Sequence, residues 1–358
     1  MNMERVNRVL DEMSKIGVEQ MVITDSHSIN YLAGHLELPW ERFWALYLRA
    51  DGKHKLFANR LFTLDEVEGV DIIWHTDTED GAGMLAKEVM HDKVLGIDKG
   101  MLAKFLLHLM ELNAAVEYKN TSVCMDNVRA NKDEREKQLM REASHVNDIS
   151  MAELKTRIKP GMTELDLADQ LEAIYKKNGA EGHSFTPLVG FGPNAAMGHH
   201  GSGDTVLKEG DCVLIDVGCK KDGYCADMTR TFFFKEVSDS HRKVYETVLK
   251  AQLAAEAIIK PGVPLCDVDR AARSVIEEAG YGPYFTHRLG HFIGTEVHEA
   301  GDVSGANMNV CKPGMTFSIE PGIYLPDDVG VRIEDLVLVT EDGVEILNHY
   351  TKELQVVE

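Results

Sequence analysis

The sequence predicts a two-domain protein of the α+β class, in which an α/β domain precedes a larger domain built from an internal repeat. The observations behind this are a length of 358 residues, alternating helix and strand patterns over the first third, and a segment that recurs 101 residues later. A chain of this length is longer than one hydrophobic core usually serves. We place the two domains at residues 1–128 and 129–358.

The N-terminal domain is predicted from apolar patterns of helical and extended type that follow one another. Apolar side chains recur at helical spacing over residues 4–16, and Gly17 ends that helix. Strands are predicted at 21–24, 45–48, 72–74 and 94–97, and helices at 79–90 and 100–112. This domain has no glycine-rich phosphate loop, so we assign it no chemistry. A charged stretch at residues 129–137 is then interpreted as the solvated start of a long amphipathic helix.

The second domain contains a diverged repeat that predicts two similar halves, related by a pseudo-two-fold axis. Residues 158–161 and 259–262 both have the sequence Ile-Lys-Pro-Gly, and a helical stretch follows each. Residues 208–218 match residues 312–322, because both contain a glycine turn, a β-run, a carboxylate and a second glycine two residues later. We therefore expect each half to present an acidic side chain at the end of a strand.

Each half of the repeat in fact carries two carboxylates on successive β-patterns. Asp216 is followed by Asp227, and Glu320 is followed by Glu334. Four buried charges of one sign repel one another, and each is costly to bury unpaired. Two divalent cations would neutralise them, at the ~3.5–4 Å spacing of two-metal hydrolases. Any one of these acids alone is more typical of a paired or capping residue, but the set in repeat register favours a metal site.

His291 adds an imidazole to this set and lies close to two glycines, Gly290 and Gly294. His287 and His298 are near it in the sequence, which favours a site over a single structural histidine. One imidazole among carboxylates suits Mn, Co, Fe or Zn better than Mg or Ca. The H-E-x-x-H, G-x-S-x-G and P-loop motifs are absent, so the simplest rival hydrolase and kinase assignments lack their residues.

The charge balance indicates which partners to expect. Lys and Arg total 38 against 59 Asp and Glu, a formal net charge of −21. So acidic a surface repels nucleic acid and anionic membranes, and we expect neither as a partner. An acidic N-terminus unlike a signal peptide, the absence of any apolar run as long as a membrane span, and cysteines without a C-x-x-C pair predict a cytoplasmic protein.

Residues 130–358 resemble the pita-bread metallopeptidases, which include prolidase (Xaa-Pro dipeptidase), aminopeptidase P and methionine aminopeptidase. The motifs that carry this resemblance are Ile215-Asp216-Val217-Gly218, Ala226-Asp227-Met228-Thr229-Arg230-Thr231, Leu289-Gly290-His291, Ile319-Glu320-Pro321-Gly322-Ile323-Tyr324 and Val331-Arg332-Ile333-Glu334-Asp335. The first domain, with Ser28-Ile29-Asn30-Tyr31-Leu32-Ala33-Gly34, is similar to the creatinase-like N-terminal domain of the proline-specific branch. The resemblance therefore implies a pita-bread catalytic domain behind a creatinase-like α/β domain.

The resemblance also implies a metal-ligand set. Asp227 and Glu334 would be shared by two divalent ions, which are Mn, Co, Zn or Fe, with Mn or Co favoured. Asp216 would bind one ion, and His291 and Glu320 would bind the other. A water bridging the ions would act as hydroxide on an amide carbonyl.

The resemblance also implies catalytic roles for residues around the ligands. His199 and His298 match the substrate-site histidines of the family and would donate to the developing oxyanion. Glu320 or Glu334 could relay a proton to the leaving nitrogen, and Arg332 would hold the ligand carboxylates.

Two points about this region stay open. Gly198 stands where many prolidases have proline, so His200 is an alternative to His199 as the catalytic histidine. His287 and Arg288 are candidates for the C-terminal carboxylate of the substrate, with a structural role as the alternative.

The function that this resemblance implies is a two-metal exopeptidase that hydrolyses the bond of short Xaa-Pro peptides, as a homodimer. Dipeptidase and aminopeptidase P activity are both compatible with the sequence. One alternative is a metal-dependent hydrolase or lyase of a small non-peptide substrate on the same scaffold. The other is a non-catalytic peptide-binding module.

Overall fold

The computed structural model describes residues 1–198 and 200–358, which divide into two compact units, Met1–Arg129 and Ala130–Glu358. Each unit has its own hydrophobic cores. Within the described residues, none of the helices combines the length and the apolar character needed to cross a membrane.

The first unit is built around one six-stranded mixed sheet. Its elements are α1 (Met3–Lys15), β1 (Gln20–Ile23), α2 (Ser26–Ala33), β2 (Ala45–Arg49), β3 (Lys55–Asn59), β4 (Asp71–His75), α3 (Gly81–Ala86), β5 (Val94–Ile97), α4 (Ala103–Glu111), β6 (Glu117–Asn120) and α5 (Ser122–Ala130). The strand order is β4-β3-β2-β1-β5-β6, in which β1 runs parallel to β5 and antiparallel to β2.

In this unit the helices and strands predicted from periodic apolar patterns lie close to the observed ones. The side chain of Asn2 accepts a hydrogen bond from the N–H of Arg5 and caps α1, which buries Val6, Val9 and Met13. The four predicted strands are present, each within one residue at either end. The helix predicted over residues 79–90 is shorter, Gly81–Ala86, since its two glycines lower helix propensity.

The second unit holds the remaining sheets and the long helices. Its elements are α6 (Glu134–Lys155), α7 (Glu164–Ala168), α8 (Leu171–Lys177), β7 (Gly182–His183), β8 (Leu188–Phe191), β9 (Cys212–Val217), β10 (Cys219–Lys221), β11 (Tyr224–Cys225), β12 (Met228–Phe234), α9 (Asp239–Glu256), α10 (Leu265–Glu278), β13 (Gly290–Phe292), β14 (Glu299–Val303), β15 (Thr316–Ile319), β16 (Gly322–Leu325), β17 (Val329–Arg332), β18 (Asp335–Val339), β19 (Val344–Ile346) and β20 (Val356–Val357). Two larger sheets have the orders β20-β12-β9-β8 and β14-β13-β15-β18-β19.

The internal repeat is visible in the backbone of this unit. Gly210 and Gly314, at matching positions, have φ angles of +86° and +87°, a conformation that favours glycine. The turn at Gly210 leads into β9 and the turn at Gly314 leads into β15. The α+β class, with an α/β unit ahead of a repeat-built unit, is confirmed.

The charged stretch at residues 129–137 is not simply solvated, as the sequence suggested. Asp133 and Glu136 form a capping box that begins α6, but Glu136 is only 1% exposed and Lys132 only 4%. The ammonium of Lys132 lies 2.8 Å from the carboxylate of Glu299, and both side chains are buried. The solvated interpretation agrees with the exposed Glu134 and Arg135 but is wrong for Lys132, whose buried charge is stabilised by a partner 167 residues away.

Candidate metal centre and substrate cavity

Strand pairing brings the predicted acidic residues of each half together. In the first half β12 runs antiparallel to β9 with Thr229 opposite Asp216, so Asp227, which directly precedes β12, lies next to that strand end. In the second half β15 pairs with β18, and Glu320 follows the first strand while Glu334 precedes the second. Each pair of carboxylates therefore lies at the adjacent ends of two paired strands.

Three of the predicted ligands form a tight buried cluster. Asp227, His291 and Glu334 each offer a ligand atom, and these atoms all lie within 4.8 Å of one another. Nε2 of His291 is 3.4 Å from Oδ2 of Asp227 and 3.7 Å from Oε1 of Glu320. Nδ1 of the same ring lies 3.2 Å from the carbonyl oxygen of Phe292, to which it can donate. This bond turns Nε2 towards the carboxylates, as metal-binding histidines require.

Two carboxylate oxygens of the site receive no hydrogen bond within the described part of the chain. Oδ1 of Asp216 and Oδ1 of Asp227 are buried and accept no hydrogen bond from the described residues. A buried oxygen of this kind is costly unless something else binds it. Because the donors are carboxylate oxygens and one imidazole nitrogen, the residues fit a divalent cation of the Mn, Co, Fe or Zn type.

The electrostatics of the cluster agree with that fit. Burial is the main cause that raises the pKa of Asp227 to about 7; the hydrogen bond from His291 opposes this rise, and the charges of Asp216 and Glu320 contribute to it. Burial, and then the charge of Asp227, raises the pKa of Glu334 well above its usual range. Burial lowers the pKa of His291, but its hydrogen bond to Asp227 and the charge of Glu320 raise it more. The site therefore concentrates negative charge where water cannot screen it, which favours a bound cation.

Arg332 connects the two halves of the cluster. Its Nη2 donates to Oδ2 of Asp216 at 2.6 Å, its Nε donates to Oγ1 of Thr229 at 3.0 Å, and its Nη1 donates to the phenol oxygen of Tyr324 at 2.8 Å. Thr229 in turn donates to Oε2 of Glu334 at 2.7 Å. The guanidinium thus fixes one carboxylate directly and a second through a hydroxyl.

The other ligand candidates are also held by neighbours. Oγ of Ser318 donates to Oε1 of Glu320 at 3.1 Å and accepts from the backbone N–H of His291 at 3.0 Å. The ring of His298 lies 4.0 Å from the ring of His291, measured between centroids. One serine therefore sets the spacing of two predicted ligands, and a second imidazole lies beside them.

The predicted ligands line one cavity of about 1080 Å³. The predicted residues that line it are Asp216, Asp227, His287, Arg288, His291, His298, Glu320, Arg332 and Glu334. His199 lies outside the described residues, whereas its neighbour His200 lines the cavity.

The two substrate-binding candidates differ in how they are held. Nε2 of His287 lies 2.8 Å from the phenol oxygen of Tyr324, and Nδ1 lies 2.7 Å from the carbonyl of Arg288. Because a carbonyl oxygen only accepts, Nδ1 carries the ring proton and donates to Arg288. In the neutral ring Nε2 then accepts from the phenol, which itself accepts from Arg332. Burial lowers the pKa of His287, in keeping with this neutral ring. The exposed guanidinium of Arg288 has no side-chain partner within residues 1–198 and 200–358.

Sequence reasoning missed the hydroxyl groups of the site. Thr229 and Tyr324 lie inside the matched motifs, and that membership is the signal that could have found them. Ser318 carries no such signal, and its role depends on the pairing of β13 with β15.

Comparisons with known proteins agree with this site. Residues 138–341 match the family described as Metallopeptidase family M24, and residues 5–131 match the Creatinase/Prolidase N-terminal domain. An uncharacterized peptidase of Staphylococcus aureus is 35% identical over 98% of this chain and all of that protein. The structure of an Xaa-Pro dipeptidase from Bacillus anthracis is 30% identical, covers both chains fully and has a TM-score of 0.91. That of a dipeptidase from Mycobacterium ulcerans is 32% identical, covers 99% of this chain and 98% of its own, and has a TM-score of 0.94.

Proposed function

Because the chain belongs to metallopeptidase family M24, we propose that it is a dinuclear metal-dependent exopeptidase that hydrolyses Xaa-Pro dipeptides. The observation that carries this proposal is the buried cluster of Asp227, His291 and Glu334, with ligand atoms within 4.8 Å of one another in the wall of a large cavity. The likeness to structures named as dipeptidases supports the substrate class.

Five side chains would hold the metal ions: Asp216, Asp227, His291, Glu320 and Glu334. When bound, divalent ions such as Mn or Co supply a water nucleophile at neutral pH and polarise the scissile carbonyl. The contacts of Arg332 and Thr229 would keep two of these carboxylates oriented towards the ions.

The remaining groups of the cavity would act on the peptide itself. His298, beside His291, would donate a hydrogen bond to the oxygen of the scissile carbonyl as charge develops there. Glu320 would carry a proton to the leaving proline nitrogen. An Xaa-Pro bond has no amide N–H, so a cavity that holds its two ends suits it better than an extended-strand cleft.

The cation of Arg288 favours a dipeptidase over an aminopeptidase P. In an Xaa-Pro dipeptide the residue after the scissile bond, proline, carries a free carboxylate, and a guanidinium binds a carboxylate with two parallel hydrogen bonds. Arg288 lines the cavity and has its side chain unpaired within the described residues. We therefore assign it to the terminal carboxylate of the substrate.

The test is a cleavage panel on metal-stripped protein that is reloaded in turn with Mn, Co or Zn. The substrates are Met-Pro, Met-Ala and the tripeptide Met-Pro-Ala, with released products quantified. We expect metal-dependent cleavage of Met-Pro alone, and loss of both metal binding and activity in Asp227→Ala. Cleavage of the tripeptide alone would identify an aminopeptidase P.

A matched variant separates substrate binding from chemistry. Arg288→Met should raise KM for Met-Pro by roughly tenfold or more, as expected when a hydrogen bond between charged groups is lost, with metal content unchanged. If two metals bind and no peptide is cut, the peptidase proposal fails and small non-peptide substrates should be screened.

A further inference from the structure

Glu164 is one of several carboxylates outside the metal cluster that are buried in this unit. Glu164, at the start of α7, is 0% exposed and accepts four hydrogen bonds. Its Oε1 accepts from the backbone N–H of Phe191 at 2.8 Å and from Nδ2 of Asn194 at 2.9 Å. Its Oε2 accepts from the backbone N–H of Gly203 at 3.0 Å and from Nε2 of His200 at 2.7 Å. The carboxylate of Glu164 therefore binds the chain on both sides of His200, at Phe191 and at Gly203.

His200 connects this anion to the substrate cavity. The ring lines the cavity that holds the proposed metal ligands, as do its neighbours Gly198 and Gly201. It is the one side chain capable of positive charge that pairs with Glu164 in the described part of the chain. Its other nitrogen, Nδ1, makes no hydrogen bond to a described residue. It is also not buried, since the buried side-chain atoms without a partner do not include it. Nδ1 is thus left accessible.

The contact with Glu164 determines which ring nitrogen carries the proton. A carboxylate only accepts hydrogen bonds, so Nε2 must donate, and in the neutral ring Nδ1 then presents a lone pair. A hydrogen-bond donor is therefore the natural ligand of Nδ1. An Xaa-Pro dipeptide such as Met-Pro offers a single kind of N–H donor, its free α-amino group, because its peptide bond has none.

We propose that His200 is a substrate-contacting residue whose Nδ1 accepts a hydrogen bond from the α-amino group of the peptide, and that Glu164 is the residue that positions it. The ligand assignment rests on the proposed dipeptidase function, whereas the pairing of the two side chains does not. The carboxylate holds the ring in one tautomer and one orientation before substrate arrives, which lowers the entropy cost of binding.

The variant His200→Gln tests the contact with substrate. The amide nitrogen of glutamine can occupy the place of Nε2 and keep the bond to Glu164, but nothing replaces Nδ1. We expect KM for Met-Pro to rise roughly tenfold with kcat within about twofold, since a bond to a charged donor is lost. The inhibition constant of the des-amino analogue of Met-Pro should not change. Equal weakening of both ligands, or no weakening, would overturn the assignment.

The variant Glu164→Gln tests positioning. Its amide should reverse the tautomer of His200, so it should also raise KM, and its effect should not add to that of His200→Gln in the double variant. Additive effects would mean that Glu164 acts through the loop alone. The control is His241→Gln, because His241 pairs with Asp328 at 2.9 Å in the same unit but does not line this cavity. It should leave KM unchanged.

Ring-nitrogen NMR provides a readout that needs no catalysis. With histidine-selective ¹⁵N labelling of metal-stripped wild-type protein at pH 8, the signals that disappear in His200→Gln belong to His200. We expect the neutral Nε2–H tautomer, and a shift of Nδ1 when Met-Pro is added. A protonated Nδ1 would overturn the inference even if Met-Pro is cleaved. The expected tautomer and shift in a protein that cuts no peptide would uphold the inference while the dipeptidase proposal fails.

Discussion

Replacing Thr229 with valine tests whether one hydroxyl couples the arginine of the site to a carboxylate ligand. Thr229 is fully buried, and its Oγ1 accepts from Nε of Arg332 at 3.0 Å and donates to Oε2 of Glu334 at 2.7 Å. Valine has nearly the same shape but leaves the guanidinium of Arg332 and the carboxyl group of Glu334 without this partner. A buried hydrogen bond to a charged group is worth about 1.5–3 kcal/mol, so we expect the metal-free protein to lose roughly 3 kcal/mol of unfolding free energy.

The effect of Thr229→Val on metal binding should be equally clear. Loss of a group that orients a ligand typically costs about 10–100-fold in metal affinity, so Mn should bind more weakly by that factor. The assays are urea unfolding of metal-free protein and calorimetric titration with Mn. Thr229→Ser keeps the hydroxyl and is the matched control. If the valine variant binds Mn as tightly as the serine variant, Glu334 does not depend on this contact and the reasoning is refuted.

Two further predictions concern the pH dependence of stability and the packing beside His291. Because burial raises the pKa of Asp227 to about 7, its protonated form stabilises the metal-free fold at low pH. That stability should be lost as pH rises through about 7. Urea unfolding should therefore show the free energy of unfolding of the wild type falling by up to roughly 4 kcal/mol relative to that of Asp227→Asn between pH 4 and 8. A difference between the two proteins that does not change with pH would contradict this. At Gly290 a Cβ would lie 1.8 Å from the carbonyl oxygen of Ser318, so Gly290→Ala should cost about 1–3 kcal/mol and weaken Mn binding. Gly343→Ala, where the nearest atom is 3.9 Å away, should leave thermal stability and Mn titration unchanged, and equal behaviour of the two variants would count against the packing argument.

The parts of this molecule that the sequence predicted are those with a local or repeated signature. Apolar periodicity located strands such as Val94–Ile97, and the repeat placed Asp216 and Glu320 at corresponding strand ends. Contacts between distant positions have no such signature. The bond of Lys132 to Glu299 joins residues 167 apart, and nothing near either one identifies the other. The homodimer and the cytoplasmic location stay predictions.

The hydrogen bonds of the site explain why the two halves of the repeat depend on each other. Asp216 belongs to the first half but is held by Arg332 from the second, at 2.6 Å. Glu334 belongs to the second half, but Thr229 of the first half donates to its carboxylate at 2.7 Å. The Nη1 of Arg230, also from the first half, donates to the backbone carbonyl of Glu334 at 2.7 Å. Each half therefore supplies the groups that orient the other half's carboxylates. A repeat that has diverged in this way cannot be divided into two independent sites, because either half alone would bury acids without the donors that hold them.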